Sequence, residues 1–62
     1  MKRKDIAEVK SREEARQIAI KWQSWQSKRR MSYAELAEWS AYFENLAILF
    51  YLEEEFKENG II

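Results

Sequence analysis

Cysteine and histidine are both absent from this 62-residue chain. The first absence removes disulfides and a thiol nucleophile, and the second removes the commonest general base; together they exclude a Cys/His zinc site. Proline is missing as well, and the only glycine is Gly60. Nothing between residues 5 and 59 therefore forbids helix, and no Gly-rich loop exists to cradle a phosphate. Apolar runs are short: the longest, Leu46 to Leu52, is seven residues. Roughly twenty are needed to cross a bilayer, so no membrane span is expected. No apolar stretch of signal-peptide length follows the basic start Met1-Lys2-Arg3-Lys4, and the expected location is the cytoplasm.

A chain this short buries only about 60% of its unfolded surface, and without disulfide or metal its stability has to come from packing or self-association. Nine aromatics supply the material, Trp22, Trp25 and Trp39 among them.

What the chain has in excess is charge separation. Residues 1–31 carry ten Lys/Arg against four Asp/Glu, and residues 32–62 carry one against seven, so zero net charge conceals a +6 half and a −6 half. Two helices folded antiparallel would neutralise each other internally, which is the preferred reading; kept apart, each half would offer a surface to an oppositely charged partner.

The helix boundaries are set by capping residues. Ser11-Arg12-Glu13-Glu14 and Ser32-Tyr33-Ala34-Glu35 both fit the S-x-x-E capping box, and Met31 with Leu36 adds a hydrophobic staple to the second. From Ser11, Ala15, Ile18, Trp22 and Trp25 line one helical face; from Ser32, Leu36, Trp39, Ser40, Phe43, Leu46, Ala47 and Phe50 line another. Ile6 and Val9 are out of phase with the first stripe, which makes residues 1–10 a separate basic strap or short turn, with a start at Asp5 and Glu8 in box position as the alternative. Lys28, Arg29 and Arg30 close the first helix where its dipole favours cations. At the other end Gly60 reads as the C′ residue of a Schellman motif, with Ile61 against Phe56.

The expected fold is all-α: a single domain over residues 11–62, an antiparallel helical hairpin of residues 11–30 and 32–58, with a kink or short third helix after Phe50 as its open question. Segments 12–29 and 33–50 match in length at about 27 Å each, which leaves residues 51–62 over. Those are not polar. Either the chain bends near Phe50–Leu52 and folds over the hairpin's end, or the helix runs straight and a second copy covers it.

Catalysis is not expected, nor any cofactor or metal. Glu13/Glu14 and Glu53/Glu54/Glu55 read as caps and solvated surface, although the latter run, placed near a helix C-terminus, would oppose the dipole unless a basic segment lay beside it. The surface expected to self-associate or seat a protein partner comprises Ile48, Leu49, Leu52, Phe56, Ile61 and Ile62. A nucleic-acid patch at Lys28, Arg29 and Arg30, with Lys2-Arg3-Lys4 and Trp22, Gln23, Trp25 and Gln26 nearby, is the less favoured reading: the second helix is acidic and aromatic, where a groove-reading helix is basic, and Trp22 and Trp25 sit on the core stripe. Imitation of a phosphate backbone by the acidic second helix, as in inhibitors of DNA-binding enzymes, ranks third.

The segments Ser11-Arg-Glu-Glu-Ala-Arg-Gln17, Ser32-Tyr-Ala-Glu-Leu-Ala-Glu-Trp39, Tyr42-Phe-Glu-Asn-Leu46 and Glu55-Phe-Lys-Glu-Asn-Gly-Ile-Ile62 resemble a group of very short helical proteins encoded on bacterial phages and other mobile elements. These are packing and capping residues, so the resemblance implies a helical accessory protein and no chemistry. That group commonly carries Gly where Tyr51 stands, which implies a helix end there that a tyrosine resists.

Overall fold

The computed structural model describes residues 2–62; Met1, the first residue of the expected strap, lies outside them. A 3-10 turn, Ile6–Glu8, leads into three helices: α1 (Arg12–Gln26), α2 (Tyr33–Phe50) and α3 (Glu53–Glu58). Among the described residues there is no strand, and no helix long and apolar enough to cross a membrane.

Both serine caps form. Ser11 Oγ accepts from the Glu14 N–H and Ser32 Oγ from the Glu35 N–H, each at 3.2 Å, satisfying orphan donors of the first turn. Glu14 does not reach back to Ser11; its carboxylate accepts the Lys10 N–H at 2.7 Å and binds the Lys4 ammonium, which ties the strap to α1. Asp5 caps the 3-10 turn, its Oδ1 accepting from the Ala7 N–H at 3.0 Å, so the alternative start is real but lasts a single turn. Helix α1 ends at Gln26, earlier than expected, and Lys28, Arg29 and Arg30 lie in the link beyond it.

Of the two alternatives after Phe50, the bend with a short third helix is the one that forms. Tyr51 adopts the left-handed conformation, φ 58° and ψ 45°, and closes α2. The Tyr51 and Leu52 N–H groups both donate to the Ala47 carbonyl, Leu52 at 2.8 Å, and Leu52 packs out of solvent beside Ala47's end of the helix. The chain then reverses: α3 packs back on α2, and Arg16–Glu55 and Gln23 to the Asn59 carbonyl link it to α1. This places Glu53, Glu54 and Glu55 in the first turn of a helix, where the dipole favours carboxylates, with Lys57 in the last; the opposing-dipole cost expected of a straight helix does not arise. The Schellman motif after α3 forms as expected: Gly60 sits at φ 73°, Ile61 N–H donates to Phe56 carbonyl at 2.8 Å, and Gly60 N–H to Lys57 carbonyl at 3.2 Å.

Left-handed backbone costs a residue with a β-carbon about 1–2 kcal/mol, and the Tyr51 ring recovers little of that because it is 82% exposed. Tyr51→Gly should therefore stabilise the protein by about 0.5–1 kcal/mol after the extra chain entropy of glycine is deducted. Thermal denaturation followed by circular dichroism checks it; a lower Tm for the glycine variant would mean that the tyrosine ring makes a compensating contact.

α1 and α2 pack antiparallel through an aromatic cluster. Trp22 meets Phe43 at 5.1 Å and Trp39 at 5.9 Å between ring centroids, and Trp25 meets Trp39 at 6.0 Å. Phe43, Leu46, Ala47, Ala15 and Ala19 are sealed from solvent, and Leu52, Phe56 and Ile61 close the core from α3. The small side chains Ala15 and Ala19 leave room for that closure. The 3-10 turn packs on α2, and Val9 is buried beneath it. The radius of gyration, 10.9 Å, is close to the roughly 10.6 Å expected of a closed 62-residue globule. Two stripes are thereby corrected. Ser40 and Leu36 lie outside the core and Tyr42 lies inside it; on α1 the buried line is Ala15, Ala19 and Trp22, with Ile18 and Trp25 half-buried.

Candidate interaction surface

Of the six residues expected to self-associate or bind a partner, Leu52, Phe56 and Ile61 are buried in the chain's own core, and Ile62 packs partly against it. The bend at Tyr51 is the reason: it returns the apolar C-terminal turns to the hairpin that made them. Ile48 and Leu49 stay outside, 62% and 53% exposed.

They are not isolated. α2 is apolar on both sides, and its outward side carries Tyr33, Ala34, Ala37, Ala41, Glu44 and Ile48, none of them buried. At 3.6 residues per turn, Tyr33, Ala37, Ala41, Glu44 and Ile48 fall within an arc of about 80°. Residues 34, 37, 41, 44 and 48 follow a 3-4-3-4 spacing, the seam of a helix that lies against another helix. Tyr33, Leu36, Ala37, Ser40, Ala41 and Glu44 line one shallow depression, and Glu44 and Ile48 line a second with Glu53, Lys57 and Ile62 of the returning chain. A surface helix normally turns charge to solvent on that side. Here Glu44 is the one charge on the seam. Sequence reading missed Ala37 and Ala41 because alanines carry almost no periodic signal, and placed Tyr33 only within the capping box.

The halves do neutralise each other in part. Arg16 Nε donates to Glu55 Oε2 at 2.7 Å and Arg3 meets Glu38 at 2.9 Å; within the basic half Arg16 Nη1 also lies 3.5 Å from Glu13, and Arg12 Nη2 donates to the Tyr51 carbonyl at 3.3 Å. The hydrogen bond from Arg16 holds the Glu55 carboxyl below the usual carboxylate range and raises the guanidinium in turn. Hydrogen bonds from Lys4 and then the Lys10 N–H lower Glu14. Burial, then the charges of Asp5 and Glu14, raise the Tyr42 hydroxyl, which makes no hydrogen bond to the described residues.

A carboxyl depressed in the folded chain recovers its ordinary value of about 4.3 on unfolding. Glu14 and Glu55 thus contribute stability that is complete above that value and is lost as pH falls through their lower folded values. Tm should hold as pH drops from about 7 to 5 and fall below about 4, and Glu55→Gln should flatten that fall. A Glu55→Gln acid profile parallel to the parent's would show that the pair adds nothing, as exposed pairs often do.

Lys28, Arg29 and Arg30 form no ion pair among the described residues. The Arg29 guanidinium sits 4.7 Å from the Trp25 ring centre, covering the face a nucleobase would need. Among the described residues no group of three or more carboxylates fits a metal ion.

No family model, curated protein or solved structure matches the chain.

Proposed function

We propose that this chain is a small non-enzymatic protein-interaction module of the cytoplasm, an accessory protein of a phage or other mobile element, and that it docks through the outward side of α2. One observation carries the docking surface: large apolar side chains stand in solvent on the face opposite a complete core, with Tyr33 88% exposed at one end and Ile48 at the other. Folding of this chain gains nothing from their exposure, and apolar side chains gathered on one face mark contact surfaces. The phage or mobile-element origin is supported by the resemblance of residues 11–62 alone.

A photocrosslinking side chain placed at Tyr33 or Ile48 in cells tests the reading. Adducts at both positions, absent at the control Lys21 and lost when Ala41→Glu is added, are expected. No adduct, or equal labelling at Lys21, overturns it.

The second reading, a nucleic-acid-associated regulator, rests on Lys28, Arg29 and Arg30, which form no ion pair among the described residues. It requires a DNA shift that weakens steeply with salt and is abolished by reversing the three to Glu; we expect no shift. The inhibitor reading is weaker still, since of the three carboxylates on α2 one, Glu38, is already held by Arg3.

A further inference from the structure

We propose that the occupant of this face is a second copy of the same chain, with the two α2 helices antiparallel about a two-fold axis at Ala41. The inference rests on the interaction-module reading and names its partner. Its first support is size. Along the seam the side chains run from large through small to large: Tyr33, then Ala37 and Ala41, then Ile48. An antiparallel partner centred on Ala41 sets Tyr33 and Ala34 at the level of the partner's Ile48, and Ala41 against its own equivalent. Small side chains at the axis let the backbones come close, and each large end closes over a complementary one. A two-fold pairing uses one patch twice, so the patch has to be self-complementary in this way.

Charge supplies the second support, and it fixes the direction. The basic link Lys28-Arg29-Arg30 precedes α2, and Glu53 and Glu54 follow it; none of the five is ion-paired among the described residues. Within one chain they are held apart by the 18 residues of α2, about 27 Å at 1.5 Å per residue. They cannot neutralise each other there. An antiparallel copy brings each basic link beside the other chain's Glu53 and Glu54, while a parallel copy sets base on base and acid on acid. Glu53 is on the correct side, since it lines the same depression as Ile48. By the same register Glu44 comes level with the partner's Glu38, which stands off the seam and is paired with Arg3 of its own chain.

Sedimentation equilibrium from low to high micromolar concentration should show a monomer–dimer equilibrium. Ala41→Glu puts two carboxylates face to face at the axis and should raise the dimer Kd about tenfold or more, with the helical circular dichroism unchanged. Because position 41 is exposed in the monomer, the substitution leaves the core alone. Arg30→Glu alone and Glu53→Lys alone should each weaken the dimer, and the two together should restore it. Since the chain has no cysteine, Ala41→Cys should give a disulfide dimer on oxidation. Ala34→Cys and Ile48→Cys should crosslink when mixed and not separately. A monomer at the highest concentration, no rescue by the charge exchange, or self-crosslinking of Ala34→Cys as fast as that of Ala41→Cys overturns the proposal. Should the protein be monomeric while the photocrosslinker at Tyr33 captures a chain of different mass, the second copy is wrong and the interaction module stands. With no capture at all, both fall.

Discussion

Phe43→Ala is expected to leave the protein largely unfolded at room temperature. The ring has no solvent-exposed surface and stands at the centre of the aromatic cluster: Trp22 at 5.1 Å, Tyr42 at 5.2 Å, Trp39 stacked at 5.8 Å and Phe56 edge-on at 6.0 Å between centroids. Among the rings of the described residues, Phe43 alone pairs with rings from both long helices and from α3. Truncating a buried phenylalanine costs about 3–5 kcal/mol, the lost transfer energy together with the cavity left behind. The four facing rings are rigid and collapse poorly into that space, which puts this site at the upper end. At about 0.05–0.15 kcal/mol per residue, a chain of 62 has about 3–9 kcal/mol in all. Far-ultraviolet circular dichroism of the variant should show a helix signal close to that of a denatured chain. A Tm within a few degrees of the parent's would mean that the three helices are held together elsewhere.

Phe43, with Trp39 and Leu46, was legible as core because it sits in phase on a long helix with a clear serine cap. Tyr42 was not. The 3-10 turn at the N-terminus packs on α2, and the charges of Asp5, Glu14 and Arg3 reach the Tyr42 hydroxyl, a proximity distant in sequence that no local period encodes. The same holds for the phase of α2: apolar on nearly every side, it offers two seams, and only the position of α1 and α3 decides which becomes core. Ser40 and Leu36 were placed on the wrong one. Ser11, Ser32 and Gly60 could be read with confidence from chemistry alone, because each satisfies backbone groups within its own turn. The end of α2 could not, because Tyr51 occupies a conformation that side chains with a β-carbon avoid, and tertiary burial of Leu52, Phe56 and Ile61 overrides that local cost.

That override also explains the redistribution of the candidate surface. Read as a straight helix, residues 46–62 need a partner for every apolar side chain; bent at Tyr51, the chain supplies its own cover for three of them. The charge split divides likewise. Arg3, Lys4 and Arg16 find carboxylates inside the molecule, while the basic link and the first turn of α3 stay at opposite ends of α2. Core and exposed surface thus draw on one supply of apolar and charged residues, and the left-handed Tyr51 decides the allocation.

Phe56→Ala tests that allocation directly. Phe56 is buried, meets Phe43 at an interplanar angle of 86°, and lies under Ile61 in the Schellman turn. If those contacts are intramolecular, the variant should lose about 3 kcal/mol or more, near 4–8 °C of Tm for each kcal/mol in a domain of this size. The difference in Tm from the parent should then be the same in dilute and in concentrated solution, because the lost contacts lie within one chain. Leu49→Ala provides the contrast: on the solvent side of α2, it should change the stability of the dilute protein by no more than about 0.5 kcal/mol. Were Phe56 instead an interface residue on a straight second helix, its truncation would matter only where copies associate, and the gap between variant and parent would widen with concentration. A gap that vanishes on dilution would therefore return Phe56 to the surface and α3 to α2; a constant gap fixes the bend at Tyr51 as the step that completes the core.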